Sequence, residues 1–205
     1  MDLRSKRTRF YARLSTAVVL GGLALGVGLV VNPFVDRNCP APSIAGGRDV
    51  IGGPFTLVSH EGRKVEEADV ITGPTLVYFG YTFCPDICPL DLDRNAAAID
   101  ILAAEGVDLP GVFITVDPER DTPEVLAEYV DVLHPGFTGL TGTPDQVAAA
   151  ADAYRVFFRK AGEGEDYLVD HSTFTYLMSP DGLLDYFKRQ DSAADIAERT
   201  ACHIG

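Results

Sequence analysis

Tyr78 to Leu92 reads YFGYTFCPDICPLDL, an apolar strand running into two cysteines spaced C-x-x-x-C, each followed by a proline. Thr75 to Phe79 is a run of β-branched, aromatic and aliphatic residues ending at Gly80, the pattern of a buried strand. Cys84 and Cys88 would share one face of a regular helix. Pro85 and Pro89 argue against such a helix, because each biases the residue before it away from the α region and lacks an N–H. The expectation is therefore a loop or single turn over 81–88, with Cys88 at the N-cap and Pro89 at the first helical position. The helix then continues through Leu90, Leu92, Ala96, Ile99, Leu102 and Ala103. Unpaired N–H groups at a helix start favour thiolate over thiol. Two such thiolates can close a disulfide or hold a soft metal. A purely stabilising bridge is the weaker reading, since so short a loop removes little entropy from the unfolded chain. The carboxyl end of a strand is also where open α/β sheets place their ligands.

The chain of 205 residues, 46% hydrophobic, is long enough for one domain with its own core plus an appendage. Residues 1–13 form a basic N-terminus carrying Arg4, Lys6, Arg7, Arg9 and Arg13 against Asp2. The eighteen uncharged residues of 14–31 follow and would span about 27 Å as a helix, enough for a membrane anchor with Phe10 and Tyr11 at the interface. A cleaved signal peptide fits less well, because Asn32-Pro33-Phe34-Val35-Asp36-Arg37 offers no small-x-small site. Asp36-Arg37-Asn38 likewise lacks what lipoprotein processing at Cys39 would need. The basic flank predicts a cytoplasmic N-terminus and an exported domain. Gly22 and Gly26 give a GxxxG spacing, a weak dimerisation signal in a glycine-rich span.

Five of the 17 basic residues and one of the 30 acidic residues lie before residue 32, leaving 12 against 29, a balance of −17. Nucleic acid is thereby an unsuitable partner. An acidic surface suits a cationic partner, metal traffic or plain solubility. Export also permits disulfides among the four cysteines.

Residues 32–53 read as a linker and 54–205 as the folded domain. Short apolar runs at Phe55–Val58 and Lys64–Val65 flank His60-Glu61-Gly62-Arg63, predicting a hairpin with His60 solvated in its turn. Gly111–Val116 is a second buried strand. Asp117-Pro118-Glu119-Arg120-Asp121-Thr122-Pro123-Glu124 follows, a helix start with Thr122 as N-cap, whose Asp117 or Asp121 could border the cysteine loop. That helix runs to Leu133, and His134 before Pro135-Gly136 ends it. Phe137–Leu140 is a short strand, and Thr143-Pro144 opens a third helix through Val147, Ala150, Ala151, Tyr154 and Phe157. Gly162 to Asp166 reads as an exposed acidic excursion. Two strands, about 173–178 and 183–187, are joined by the turn Ser179-Pro180-Asp181-Gly182. An amphipathic stretch, 191–204, closes the domain. The order βαβα, antiparallel hairpin, α predicts a thioredoxin-like α/β fold, one mixed sheet with helices on both faces.

His171 immediately precedes the first strand of that hairpin, and in such a fold the loop entering this strand faces the cysteine loop. Two thiolates and one imidazole form a soft, low-coordination set that suits Cu(I) better than hard cations, and zinc would normally complete a tetrahedron. Asp170 is a candidate to orient His171. Cys39 and Cys202 lie outside this set. They could pair with each other or, with His203, form an accessory metal site, and sequence separation alone does not decide between these.

YFGYTFCPDIC, ITVDPERDT, GLTGT and YLVDHSTFTYLMSPDG, taken in order, resemble the Sco/SenC family, and the resemblance covers Gly53 to Phe187. It implies a thioredoxin-like, anchored copper protein of the bacterial inner membrane, its domain in the periplasm, that helps build the dinuclear copper centre of cytochrome c oxidase. The family's ligands fall on Cys84, Cys88 and His171, which would hold Cu(I), with Cu(II) as a second option. Cys84 and Cys88 would form a disulfide when oxidised and metal-free. The implied partners are the copper-bearing oxidase subunit, an upstream copper donor and the bilayer. A thiol-disulfide oxidoreductase acting on the oxidase cysteines is the competing function, although C-x-x-x-C departs from the common C-x-x-C enzymes. Peroxide reduction is a weaker third.

Overall fold

The computed structural model describes Cys39, Gly47 and residues 50–204 apart from residue 165. The basic N-terminus 1–13, the anchor 14–31 with its GxxxG pair, and most of the linker lie outside the described residues. Among the described residues no helix is long and apolar enough to cross a membrane.

The order is β1 (Thr56–Ser59), β2 (Lys64–Glu66), α1 (Glu67–Val70), β3 (Thr75–Gly80), α2 (Ile87–Ala104), β4 (Gly111–Thr115), α3 (Pro123–Leu133) and β5 (Phe137–Thr141). It continues with α4 (Pro144–Ala153), β6 (Phe158–Ala161), β7 (Leu168–His171), β8 (Thr175–Ser179), β9 (Gly182–Phe187) and α5 (Ala193–Ile204). Seven strands form one mixed sheet in the order β2-β1-β5-β4-β3-β8-β9. β3, β4 and β5 run parallel, Leu76 opposite Gly111 and Val112 opposite Thr138, while β8 joins β3 antiparallel with Leu76 opposite Leu177. Every residue of β3 and β4 is buried, so both faces of the sheet centre are covered, as continuous apolar strands require. β9, at the edge, alternates buried and half-buried.

The helix starts follow local chemistry. Thr122 Oγ1 accepts the N–H of Val125, and Thr143 with Gln146 forms a reciprocal capping box, each cap followed by proline at the first helical position. α5 is tied to β9 by Arg199, which grips the fully buried Asp185 with two bonds of 2.6 and 2.9 Å. It is also tied to the start of the domain by a disulfide between Cys39 and Cys202, their Cα atoms 5.7 Å apart. Of the two readings the sequence left open for these cysteines, the bridge is the one realised.

Four expectations are corrected. The cysteine helix begins at Ile87 with Asp86 as N-cap, so Cys88 and Pro89 are its second and third residues. Proline is tolerated there because first-turn N–H groups have no intrahelical acceptor in any case. The third helix ends at Ala153, short of Phe157. Arg155 takes the left-handed conformation at φ 56°, and the amides of Arg155 and Val156 bond back to Asp152 and Ala151, closing the helix in the manner glycine usually performs. Finally, the acidic excursion is the tip of a two-stranded ribbon, β6 with β7, pairing Phe158 with His171 and Ala161 with Leu168. His60 is also more than a solvated turn residue, for its Nδ1 accepts the N–H of Gly139 and its own N–H reaches the Gly139 carbonyl.

Candidate metal centre

Gly80 ends β3 beneath the site. A Cβ at this position would lie 3.1 Å from Cys88 Sγ and 3.0 Å from both Phe113 and Tyr78, so the glycine makes room for the sulfur. The chain then turns, Cys84 N–H bonding to the Tyr81 carbonyl at 3.3 Å, before α2 begins. Cys88 is fully buried, while Cys84 and His171 are half-buried. The ligand atoms of Cys84, Cys88 and His171 all lie within 4.8 Å of one another. A single ion bonded to sulfur and nitrogen at about 2.0–2.3 Å could bridge that spread with a few tenths of an ångström of closure. The sequence-predicted set thus converges, and both cysteines are free thiols.

The ring of His171 is oriented for this. Its Nδ1 lies 2.8 Å from the Ser172 carbonyl, which can only accept, so Nδ1 carries the proton and in the neutral ring the Nε2 lone pair faces inward. Nε2 sits 3.3 Å from Cys88 Sγ. Tyr78 and Tyr81 hold the ring edge-on, at centroid distances of 6.3 and 5.9 Å. Asp170 does not orient it. That carboxylate is exposed and paired with Arg159 at 2.8 Å, because alternation along β7 points neighbouring side chains to opposite faces.

The two sulfurs differ. The helix-end N–H of Cys88 donates to Cys84 Sγ at 3.3 Å, so the helix start favours charge on Cys84 and not on both sulfurs as the sequence reading expected. The Cys88 thiol beside it, aided by His171 and backbone amides and opposed by burial, brings Cys84 down to about 3. Bonding to Cys84 and burial push Cys88 up. One thiolate and one buried thiol are thus the resting pair.

The charged loop after β4 borders this site, as its position at the sheet edge predicted. Asp121, fully buried, accepts the Thr82 N–H at 3.0 Å, the Thr82 hydroxyl at 2.6 Å and the Thr115 hydroxyl at 2.5 Å. Asp117 accepts the Tyr167 hydroxyl at 2.6 Å and pairs with Arg120 at 2.5 Å. Sequence reasoning missed Arg120. Its guanidinium covers Tyr167 at 3.7 Å and Phe83 at 4.8 Å, joining the β6–β7 ribbon to the cysteine loop. The available signal was its place between two acids already flagged.

A sequence model of SCO1/SenC matches residues 45–205. Protein SenC of Rhodobacter capsulatus is 46% identical over 203 residues, spanning 98% of this chain and 91% of that protein. The crystal structure of Arabidopsis thaliana ScoI with copper bound is 44% identical, with a TM-score of 0.72 over 75% of this chain and 98% of that one. BsSco, described as a member of the Sco family of cytochrome c oxidase assembly proteins in which a disulfide switch was identified, is 25% identical, with a TM-score of 0.63 over 79% and 98%. With this coverage, this fold and these three side chains in one place, the chain belongs to the SCO1/SenC family.

Proposed function

We propose that this chain is a membrane-anchored copper carrier that holds one Cu(I) between Cys84, Cys88 and His171 and delivers it during assembly of the dinuclear copper site of cytochrome c oxidase. The observation that carries the reading is the convergence of two thiols and an inward-facing imidazole nitrogen within 4.8 Å. Sulfur with one imidazole is a soft donor set matched to Cu(I), with Cu(II) as a second state the nitrogen would favour. A relative with copper bound supports the assignment. The apolar stretch 14–31 would anchor the chain in a bacterial inner membrane with the domain in the periplasm. The Cys39–Cys202 bridge fits such an oxidising compartment. The partners would be the copper-bearing oxidase subunit and an upstream copper donor.

The low pKa of Cys84 favours a second reading, in which the pair is a thiol reductant. The Cys84 thiolate would attack a partner disulfide, Cys88 would resolve the mixed disulfide, and the partner would leave as a dithiol carrying the two electrons the pair gives up, with one proton from the Cys88 thiol and one from solvent. Titration of the full chain in detergent with Cu(I), read by chelator competition and X-ray absorption, separates the two. One copper per chain with sulfur and nitrogen neighbours is expected. Disulfide exchange without copper affinity would leave the reductant reading alone.

A further inference from the structure

We propose that Asp121 is a positioning residue for the metal centre: its buried carboxylate holds Thr82 in place and thereby sets the open spacing between Cys84 and Cys88. Asp121 is 0% exposed, and its three bonding partners are neutral donors, the Thr82 amide and hydroxyl and the Thr115 hydroxyl. Burying a carboxylate among neutral groups is unfavourable, and burial raises its pKa. Such a charge belongs where its geometry is needed. Two of its three bonds go to one residue, which fixes Thr82 in orientation as well as position.

Thr82 lies inside the turn that the Cys84 amide closes on the Tyr81 carbonyl, so holding Thr82 holds the whole turn. Arg120 from the same loop covers Phe83, the residue between Thr82 and Cys84. On the other side, Cys88 is locked in α2 with its sulfur against Gly80. The segment 83–86, with Cys84 in it, is thus strung between two fixed points. Cys84 Sγ rests on the Cys88 amide, a dithiol spacing ready for an ion. Closing the disulfide would draw this segment toward α2 and pull on Thr82, two residues before Cys84. Oxidation by glutathione disulfide breaks its S–S bond and forms that between Cys84 and Cys88. Two electrons, the proton of Cys88 and one proton from solvent pass to two glutathione molecules. Asp121 opposes that movement and so favours the dithiol.

The copper arm of the test rests on the carrier reading, whereas the redox arm does not. Asp121→Asn places an amide donor among three donors, and Thr82→Val removes one bond and keeps the amide. Both are made in the full chain in detergent. Cu(I) affinity is measured against a chromophoric chelator, and the Cys84–Cys88 equilibrium is measured in glutathione buffers by alkylation and peptide mass. For Asp121→Asn we expect affinity about tenfold weaker and an equilibrium displaced toward the disulfide, with Thr82→Val smaller in the same directions. A residue that merely supports the fold would lower the unfolding temperature without moving that equilibrium. Wild-type affinity and wild-type equilibrium in both variants would overturn the proposal. If Asp121→Asn does not fold, Thr82→Val alone decides by the same criterion. If the wild type binds no Cu(I), the carrier reading fails and the disulfide equilibrium still judges Asp121.

Discussion

The chain contains two cysteine pairs built for opposite ends. Cys84 and Cys88 are separated by three residues, lie at the mouth of the sheet as free thiols, and are held apart by a braced loop. Cys39 and Cys202 are 163 positions apart and already joined. The close pair closes too small a loop to stabilise the fold much, and the distant pair encloses nearly the whole domain. Proximity in sequence therefore marks the reactive pair, and distance marks the structural one.

The largest effect should come from breaking the close pair. Cys88→Ser should abolish stoichiometric Cu(I) binding, measured by chelator competition, while an unreduced tryptic digest still yields the peptide joined through Cys39 and Cys202. Binding that persisted unchanged would remove Cys88 from the ligand set. Next in size, replacing Cys39 and Cys202 together by serine should lower stability by up to about 5 kcal/mol in denaturant titration, following the entropy of so long a loop. Copper affinity should be preserved. If that affinity fell in the folded variant, the two pairs would not be independent. His171→Ala should weaken copper without eliminating it, and the nitrogen neighbour should vanish from the X-ray absorption spectrum while both thiols stay titratable.

The smallest effect is one of pH. A thiol held near 3 is already thiolate at neutral pH, so alkylation of Cys84 should stay nearly constant from pH 8 to pH 5. An ordinary thiol would slow about tenfold per unit below its pKa near 8.5. Because the folded pKa is depressed, the matching stability is fully present above that unfolded value and is lost as pH falls toward 3. Cys88, buried and pushed up, should remain unreacted across the range. A Cys84 rate that fell with acid as an ordinary thiol's does would remove the asymmetry.

Much of this was legible because strong local signals agreed with the final packing. β3 and β4 are continuous apolar runs, and Thr122-Pro123 and Thr143-Pro144 are helix starts whose caps form as read. The three side chains that converge at the candidate metal centre were also singled out, two from spacing and His171 from topology. What escaped depends on contacts that leave little local trace. Phe158–Ala161 is a half-exposed strand with two charges, and only pairing with β7 makes it one. α4 ends at Ala153 and is closed by a left-handed turn at Arg155, where no glycine announces one. The N-cap shifted from Cys88 to Asp86 because a proline third in a helix reads the same as one placed first. Orientation was the hardest part. That Asp170 faces solvent while the Ser172 carbonyl steers the imidazole follows from the register of β7, a strand the sequence did not reveal.

The Cys39–Cys202 bridge also changes what a single cut does to this molecule. With both ends of the domain joined, the chain from 39 to 202 is a covalent ring. A protease nicking the exposed ribbon tip near Gly164 would open the ring without releasing a piece. Both fragments would migrate together until a reductant separated them, and the α5 end would remain leashed beside the start of the domain. Damage at the surface is thereby kept from becoming loss of a part.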